Sequence, residues 1–414
     1  MFASNRPPAP HGASLLSLRA LCLAAASGIG LAVLYLRWPY EYHFPKGDAW
    51  RIRFLTAESK LLSFIARWGS RLRIGSEIAI LRRLYYLESC VLCVRTPKAD
   101  IFTEVLDADG VRIIVYRRLA WVTAEDEPDG PRKPCIIYLH GGGWVYTCAE
   151  ERDAHHRHLL THLEAVVAAV DYRKAPEHPY PAGFHDCLTA TKFIHSHAAS
   201  LGVEPSRISI CGDSAGGNLS AAVALKLRDE GQKFLKNQVL IYPSVQFLSS
   251  RLTSHLQVYP LLTREDGVWC GLQYMGEDVA LCEALLDGDH IAEELYRHPG
   301  FLALQKYDSI AHSESKSLAS PTALAKLRDR IKDPYLCPLM ARTMKALPRA
   351  LILLCDYDIL RDDGLAYADR LRADGVTVTT VSVPGYHGCF RNFQVTRCGA
   401  MMMDHLVKYL KEHL

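Results

Sequence analysis

The chain has 414 residues, 49% of them apolar and 22% charged, with a net charge of +3. That composition supports a large buried core and excludes a disordered scaffold, and the small charge excludes nucleic-acid binding driven by bulk electrostatics. The length exceeds one ordinary core, so a single α/β domain carrying an insertion or cap is expected.

Residues 1–14 form a polar, proline-containing tail, and residues 15–36 a hydrophobic segment in which Ala20 to Leu36 carries no charge and Arg19 can snorkel. Trp38, Tyr40 and Tyr42 suit a membrane interface, and no small-residue cleavage pattern follows. A single-pass signal-anchor is therefore expected in preference to a cleaved leader or a buried helix. Residues 37–100 mix aromatic and apolar side chains with arginines, with a helix around Ile78 to Cys93, and read as N-terminal cap helices. The α/β core is expected over 101–414, interrupted at 244–334 by an acidic and apolar stretch that reads as a lid. Asp333-Pro334 and Cys337-Pro338 mark the return to the core.

Within the core, the apolar run Cys135-Ile136-Ile137-Tyr138-Leu139 reads as a buried strand and leads into His140-Gly141-Gly142-Gly143-Trp144. A second run, Ile208-Ser209-Ile210-Cys211, leads into Gly212-Asp213-Ser214-Ala215-Gly216-Gly217 and a helix to about Leu227. A strand entering Gly-x-Ser-x-Gly and then a helix is a nucleophile elbow, with Ser214 exposed in a strained conformation at a helix N-terminus. Downstream, the strand Ala350 to Cys355 ends in Asp356-Tyr357-Asp358, and a helix follows to about Ala373, closed by Gly375. Val376 to Thr379 begins the last strand, which leads into the glycine-flanked loop Pro384-Gly385-Tyr386-His387-Gly388.

A serine hydroxyl needs a base to take its proton, a neutral imidazole suits that role near pH 7, and a carboxylate fixes the imidazole's tautomer. The order serine, acid, histidine is that of the α/β-hydrolase fold, a mostly parallel sheet with helices on both faces. Asp356 and Asp358 are both placed to be the acid. The remaining signals read as structural. His155, His156 and His158 have the look of metal ligands but read as a solvated helix face. Cys135 and Cys211 read as small buried hydrophobes, Cys90 and Cys93 as helix packing without a zinc-spaced partner pair, and the sequon Asn218-Leu219-Ser220 lies inside a helix. Thirteen cysteines leave at least one unpaired.

The chain resembles the hormone-sensitive-lipase-like α/β-hydrolases, and within them the arylacetamide deacetylase and neutral cholesterol ester hydrolase group. The resemblance rests on His140 to Trp144, Asp171 to Ala182, the Ser214 elbow, Tyr357 to Asp362 and Gly385 to Gly388. It implies Ser214 as nucleophile, Asp358 as acid (the acid that precedes Ile359-Leu360-Arg361-Asp362) and His387 as base. It assigns the oxyanion donors to the amides of Gly141, Gly142 and Ala215, with no cofactor or metal. The group's cysteine after the loop tryptophan is replaced here by Val145; the nearest cysteine, Cys148, becomes the implied disulfide partner of Cys355. Lys174 stands where leucine is frequent, and Cys337-Pro338-Leu339 where Ser-Pro-Leu is usual.

The expected function is membrane-anchored hydrolysis of lipophilic acyl or aryl esters, with arylacetamides as a further candidate class. Apolar residues of the cap and lid, such as Phe54, Phe64, Leu256, Val258 and Tyr259, are expected to line a deep apolar pocket. The alternatives are a hydrolase-fold binding protein without activity and a serine amidase or peptidase. Arg37, Lys46, Arg51 and Arg53 follow the hydrophobic segment and favour a cytosolic catalytic domain by the positive-inside rule. The resemblance implies the lumen of the endoplasmic reticulum instead, and that is the placement expected.

Overall fold

A computed structural model describes residues 47–92, 100–122, 132–247, 252–257, 259, 261–308 and 319–414. The expected tail and signal-anchor lie outside them; among the described residues no helix is long and apolar enough to cross a membrane. The chain divides into two compact units, one ending at Glu77 and one running from Ile78 to Leu414.

The first unit contains α1 (Ala49–Arg71), whose Ala, Leu, Arg and Lys content favours helix without needing caps. Trp50, Phe64 and Trp68 on it are exposed. Arginines lie over two of these rings, Arg51 at 4.7 Å from the Trp50 centroid and Arg71 at 5.2 Å from that of Trp68.

In the second unit, α2 (Glu77–Leu92, Glu77 itself closing the first unit) precedes an eight-stranded sheet. Its strands are β1 (Ile101–Ala108), β2 (Val111–Arg118), β3 (Lys133–Leu139), β4 (Val166–Asp171), β5 (Val203–Asp213), β6 (Leu235–Ile241), β7 (Arg349–Tyr357) and β8 (Val378–Tyr386). The spatial order is β1-β2-β4-β3-β5-β6-β7-β8. Strand β2 is antiparallel to both β1 and β4, and every pairing from β4 to β8 is parallel.

The pleat sorts side chains onto two cores. Strand β3 sends Cys135, Ile137 and Leu139 into one apolar cluster and Ile136 and Tyr138 into the other. The first cluster is covered by α4 (Ala182–Ser196), α5 (Ala215–Asp229) and α10 (Arg361–Ala373), the second by α3 (Asp153–His162) and α11 (Arg397–His413). Each fully buried Ile, Leu or Val contributes about 1.5–3 kcal/mol. The central helix α5 is buried along nearly its whole length, which explains its small residues Ala221, Ala222 and Ala224.

Between β6 and β7 the chain makes helices α6 (Arg264–Met275), α7 (Cys282–Asp287), α8 (Pro299–Gln305) and α9 (Pro321–Ile331). Local signals start and stop them. Thr263 and Asp266 form a reciprocal capping box, Gly276 ends α6 in the left-handed region, and Ser320 caps α9 ahead of Pro321. The sequence reads this stretch as aperiodic because each helix is short and its apolar residues face several neighbours.

Strand β8 also extends further than expected. Pairing of Tyr386 with Tyr357 carries it through Pro384 and Gly385, leaving His387 immediately after its last residue.

Candidate active site

Ser214 sits between β5 and α5 with φ 56° and ψ −118°, a strained conformation for a residue with a Cβ. Its amide donates to Ile241 O at 2.8 Å, and its carbonyl accepts from Asn218 N at 3.1 Å, so both neighbouring elements hold the turn. The following helix presses onto the end of β3 so closely that a Cβ on Gly216 would stand 2.0 Å from Leu139 O. No residue larger than glycine fits there.

The parallel order of β5, β6, β7 and β8 brings two further loops to the same end of the sheet. His387 Nε2 lies 3.1 Å from Ser214 Oγ, and His387 Nδ1 lies 2.9 Å from Asp358 Oδ2. Asp358 is fully buried, and its other oxygen accepts from Leu360 N at 2.9 Å. Asp356 points elsewhere, accepting from the Ser382 hydroxyl on β8. The Tyr242 ring packs against His387 with centroids 4.6 Å apart.

The glycine loop after β3 lies against this elbow. The amide of Gly141 donates to Asp213 Oδ1 at 3.0 Å. That removes Gly141 from the expected set of oxyanion donors and gives it a different task, joining the loop to the residue before Ser214. The contact is tight, since a Cβ on Gly141 would meet Asp213 Oδ2 at 2.5 Å. Gly142, with φ 111°, turns the chain so that the amides of Val145 and Tyr146 both donate to its carbonyl.

His140 faces inward. It stacks on Tyr172 at 4.3 Å, and burial, followed by the charge of Lys174, pushes its pKa down to about 4. It is therefore neutral near pH 7.

Asp213 is the centre of a polar network that sequence reasoning missed. It accepts from Arg152 Nη2 at 2.8 Å and from Tyr138 OH at 2.8 Å, and all three side chains are buried. Burial alone would raise the Asp213 carboxyl, but the charge and hydrogen bonds of Arg152, with the Tyr138 bond, hold it well below the usual carboxylate range. Arg152 stands in Glu150-Glu151-Arg152-Asp153, a run that locally looks like solvated surface.

The neighbouring histidines depart from the expected solvated face. His155 and His156 are fully buried, not on a solvated face, and His156 packs between Tyr116 and Tyr138 at 4.9 and 5.0 Å. Burial, then the charge of Arg152, lowers His155 to about 3, and burial, then His155, lowers His156 well below its ordinary value. Among the described residues no group of three or more His, Cys, Asp or Glu is arranged to hold a metal.

Two segments wall the site. Arg82 on α2 donates to the Val145 and Ala175 carbonyls at 2.7 Å each and forms a paired contact with Glu177 at 2.8 and 2.9 Å. On the other side α6 lies over the glycine loop, with Tyr274 stacked on Trp144 at 4.5 Å and Trp269 on Tyr146 at 6.1 Å.

A small cavity of about 50 Å³ opens under α6, lined by Ser244, Phe247, His255, Val268, Leu360 and Asp363 among others. Its floor carries a His255–Asp363 contact of 3.5 Å, so this wall is mixed in polarity rather than uniformly apolar. Of the residues expected to line a deep pocket, Tyr259 is buried, Phe64 and Leu256 are exposed, and Val258 lies outside the described residues.

The implied Cys148–Cys355 disulfide is not formed. The Cys148 thiol approaches Glu151 Oε1 at 3.8 Å, while Cys355 lies against Cys389, with sulfurs 3.5 Å apart. Cys93 lies outside the described residues, so the Cys90–Cys93 pair has no structural account.

Comparison with known proteins agrees with this architecture. A family described as having the alpha/beta hydrolase fold matches residues 136–292 and 296–391. Curated relatives include arylacetamide deacetylase-like 2 of Homo sapiens, 32% identical over 96% of this chain and 100% of that protein. Neutral cholesterol ester hydrolase 1 of Mus musculus is 29% identical over 96% and 100%, and arylacetamide deacetylase of Bos taurus 31% over 89% and 93%. Among solved structures, the hyperthermophilic esterase of the archaeon Pyrobaculum calidifontis has a TM-score of 0.63 at 28% identity, covering 85% of this chain and 97% of that one. A thermophilic carboxylesterase cloned from a metagenomic library gives 0.63 at 28%, covering 82% and 99%.

Proposed function

Because the chain belongs to the α/β-hydrolase-fold family, in the group of arylacetamide deacetylase and neutral cholesterol ester hydrolase, we propose that it is a membrane-anchored serine hydrolase of lipophilic carboxylic esters. The observation that carries this reading is the continuous hydrogen-bonded line from Ser214 through His387 to Asp358. His387 Nε2 takes the Ser214 proton as Oγ attacks the acyl carbon, and Asp358 holds Nδ1–H and stabilises the imidazolium. The oxyanion that forms accepts from the amides of Gly142 and Ala215, helped by the positive end of α5. His387 then protonates the leaving alcohol, and water repeats the sequence on the acyl-enzyme. Hydrolysis of aryl amides is a second reading, favoured by the similarity to arylacetamide deacetylase.

Residues 15–36 would anchor the chain in the endoplasmic reticulum membrane with the catalytic unit in the lumen. The uncharged run from Ala20 to Leu36 supports the anchor, and the exposed tryptophans of α1 beside arginines support proximity to an interface.

The test is hydrolysis by the purified full chain of nitrophenyl acetate, butyrate and octanoate, and of sterol and aryl acetyl esters. Each added methylene that finds apolar wall should raise kcat/KM up to a few-fold, from about 0.8 kcal/mol per CH₂, until the pocket is full. A steady fall from acetyl onwards would replace lipophilic acyl chains with a small-acyl site. Removing residues 1–37 should spare soluble esters and impair membrane-embedded ones; equal effects on both would remove the anchor's role in delivery.

A further inference from the structure

The strand end that carries Asp358 and the loop that carries His387 meet at a group of sulfur atoms that the proposed chemistry does not use. Cys355 is three residues before Asp358, and Cys389 is two residues after His387. Their sulfurs are 3.5 Å apart. Met402 on α11 closes the group, its Sδ 3.6 Å from Cys355 and 3.5 Å from Cys389. Cys398, in the first turn of α11, borders it across Gly385, and all three cysteines are buried.

Other buried cysteines, such as Cys135, Cys187 and Cys211, sit within the apolar clusters as single small side chains. The Cys355–Cys389 pair differs because the two thiols come from chain segments over thirty residues apart and already touch. A disulfide needs the sulfurs to close from 3.5 Å to roughly 2.0 Å.

We propose that Cys355 and Cys389 are joined by a disulfide in protein folded under oxidising conditions, stapling the end of β7 to the histidine loop. One cysteine attacks an incoming disulfide, from a small-molecule or protein oxidant, and releases its first thiol. The second cysteine then attacks the mixed disulfide and releases the other. Two cysteine thiols are oxidised, one external disulfide is reduced to two thiols, and the protons balance. Burial pushes the Cys355 thiol up to about 11 and Cys389 well above its ordinary value, so the reaction belongs to folding, before the thiols are enclosed.

The pairing is independent of the proposed catalysis, and only its effect on activity rests on that reading. The full chain made through an oxidising secretory pathway is alkylated in denaturant and digested without reductant. A peptide pair holding Cys355 and Cys389, lighter by two hydrogens than the two thiol peptides and lost on reduction, is expected. Alkylation of both cysteines, or linkage of Cys389 to Cys398 or of Cys355 to Cys148, would overturn the pairing.

The same chain made in a reducing cytosol should lose half its ester hydrolysis at a temperature a few degrees lower than the oxidised form. Equal midpoints with the cross-link present would overturn the staple and leave the pairing standing. Absence of hydrolysis in both forms would count against the catalytic reading instead.

Discussion

The two halves of the site are held by opposite means. On the Ser214 side, the elbow and glycine loop are tied by buried charge: Arg152, Tyr138 and the Gly141 amide converge on the Asp213 carboxylate. On the side of Asp358 and His387, the contacts next to the strand end and the histidine loop are soft and apolar, with Cys355, Cys389 and Met402 together, and the ion pairs lie further out: Arg391 with Glu88 and Glu151, Arg361 with Asp362, and His255 with Asp363. Charged bracing fixes geometry tightly but fails badly when one partner is lost, because the survivor is left buried and uncompensated. Sulfur and hydrocarbon contacts tolerate exchange, since volume matters more than direction.

The largest effect should come from the reacting groups and should not distinguish the halves. Ser214→Ala should lower kcat by roughly 10⁴ to 10⁶, and Asp358→Asn by about 10⁴ through the wrong imidazole tautomer. Asp356→Asn should be far milder; steady-state kinetics giving the reverse ranking of the two aspartates would reassign the acid.

Arg152→Ala separates the halves. It should cost about 3–5 kcal/mol in denaturant unfolding, with loss of turnover as the glycine loop loosens. A cost below 1 kcal/mol by the same measurement would mean that the Asp213 network does not brace the site.

Acid should act on the same half. His140 and His155 are held at about 4 and about 3. Between those values and about 6.5 the unfolded chain therefore binds more protons, and stability must fall as pH falls. At pH 5 each buried neutral histidine costs about 2 kcal/mol, read as a drop in unfolding midpoint from pH 7 to pH 5. A flat profile across that window would show that these rings are protonated as easily folded as unfolded.

The smallest effect is expected opposite. Met402→Leu keeps the volume beside Cys355 and Cys389 and should cost under about 1.5 kcal/mol. A loss as large as that of Arg152→Ala would erase the contrast.

What the sequence discloses follows the same division. Glycines, strand ends and the order of serine, acid and histidine are local signals, and they point to Ser214, to His387 and to either Asp356 or Asp358; the family resemblance alone singles out Asp358, which the fold brings within hydrogen-bonding distance of His387. His155 and His156 read as surface, and Arg152 draws no reading at all, because a run of charged and imidazole side chains has no local mark of burial. Their partners arrive from other strands, Tyr138 from β3 and Asp213 from the end of β5, 61 residues beyond Arg152. Gly141 was legible as a loop glycine but not as a donor already engaged. The insertion helices, each two or three turns long, are too short for their periodicity to stand out.

Arg82 bears on how a water-soluble form of this enzyme can be made. Its guanidinium grips the carbonyls of Val145 and Ala175, next to the glycine loop, from a helix that precedes the first strand of the sheet. Trimming the hydrophobic N-terminus for expression therefore has a boundary set by chemistry rather than by the start of the sheet. A chain beginning shortly before Glu77 keeps the clamp. One beginning at Ile101 retains every strand, yet frees the glycine loop to which the proposed mechanism gives the developing negative charge.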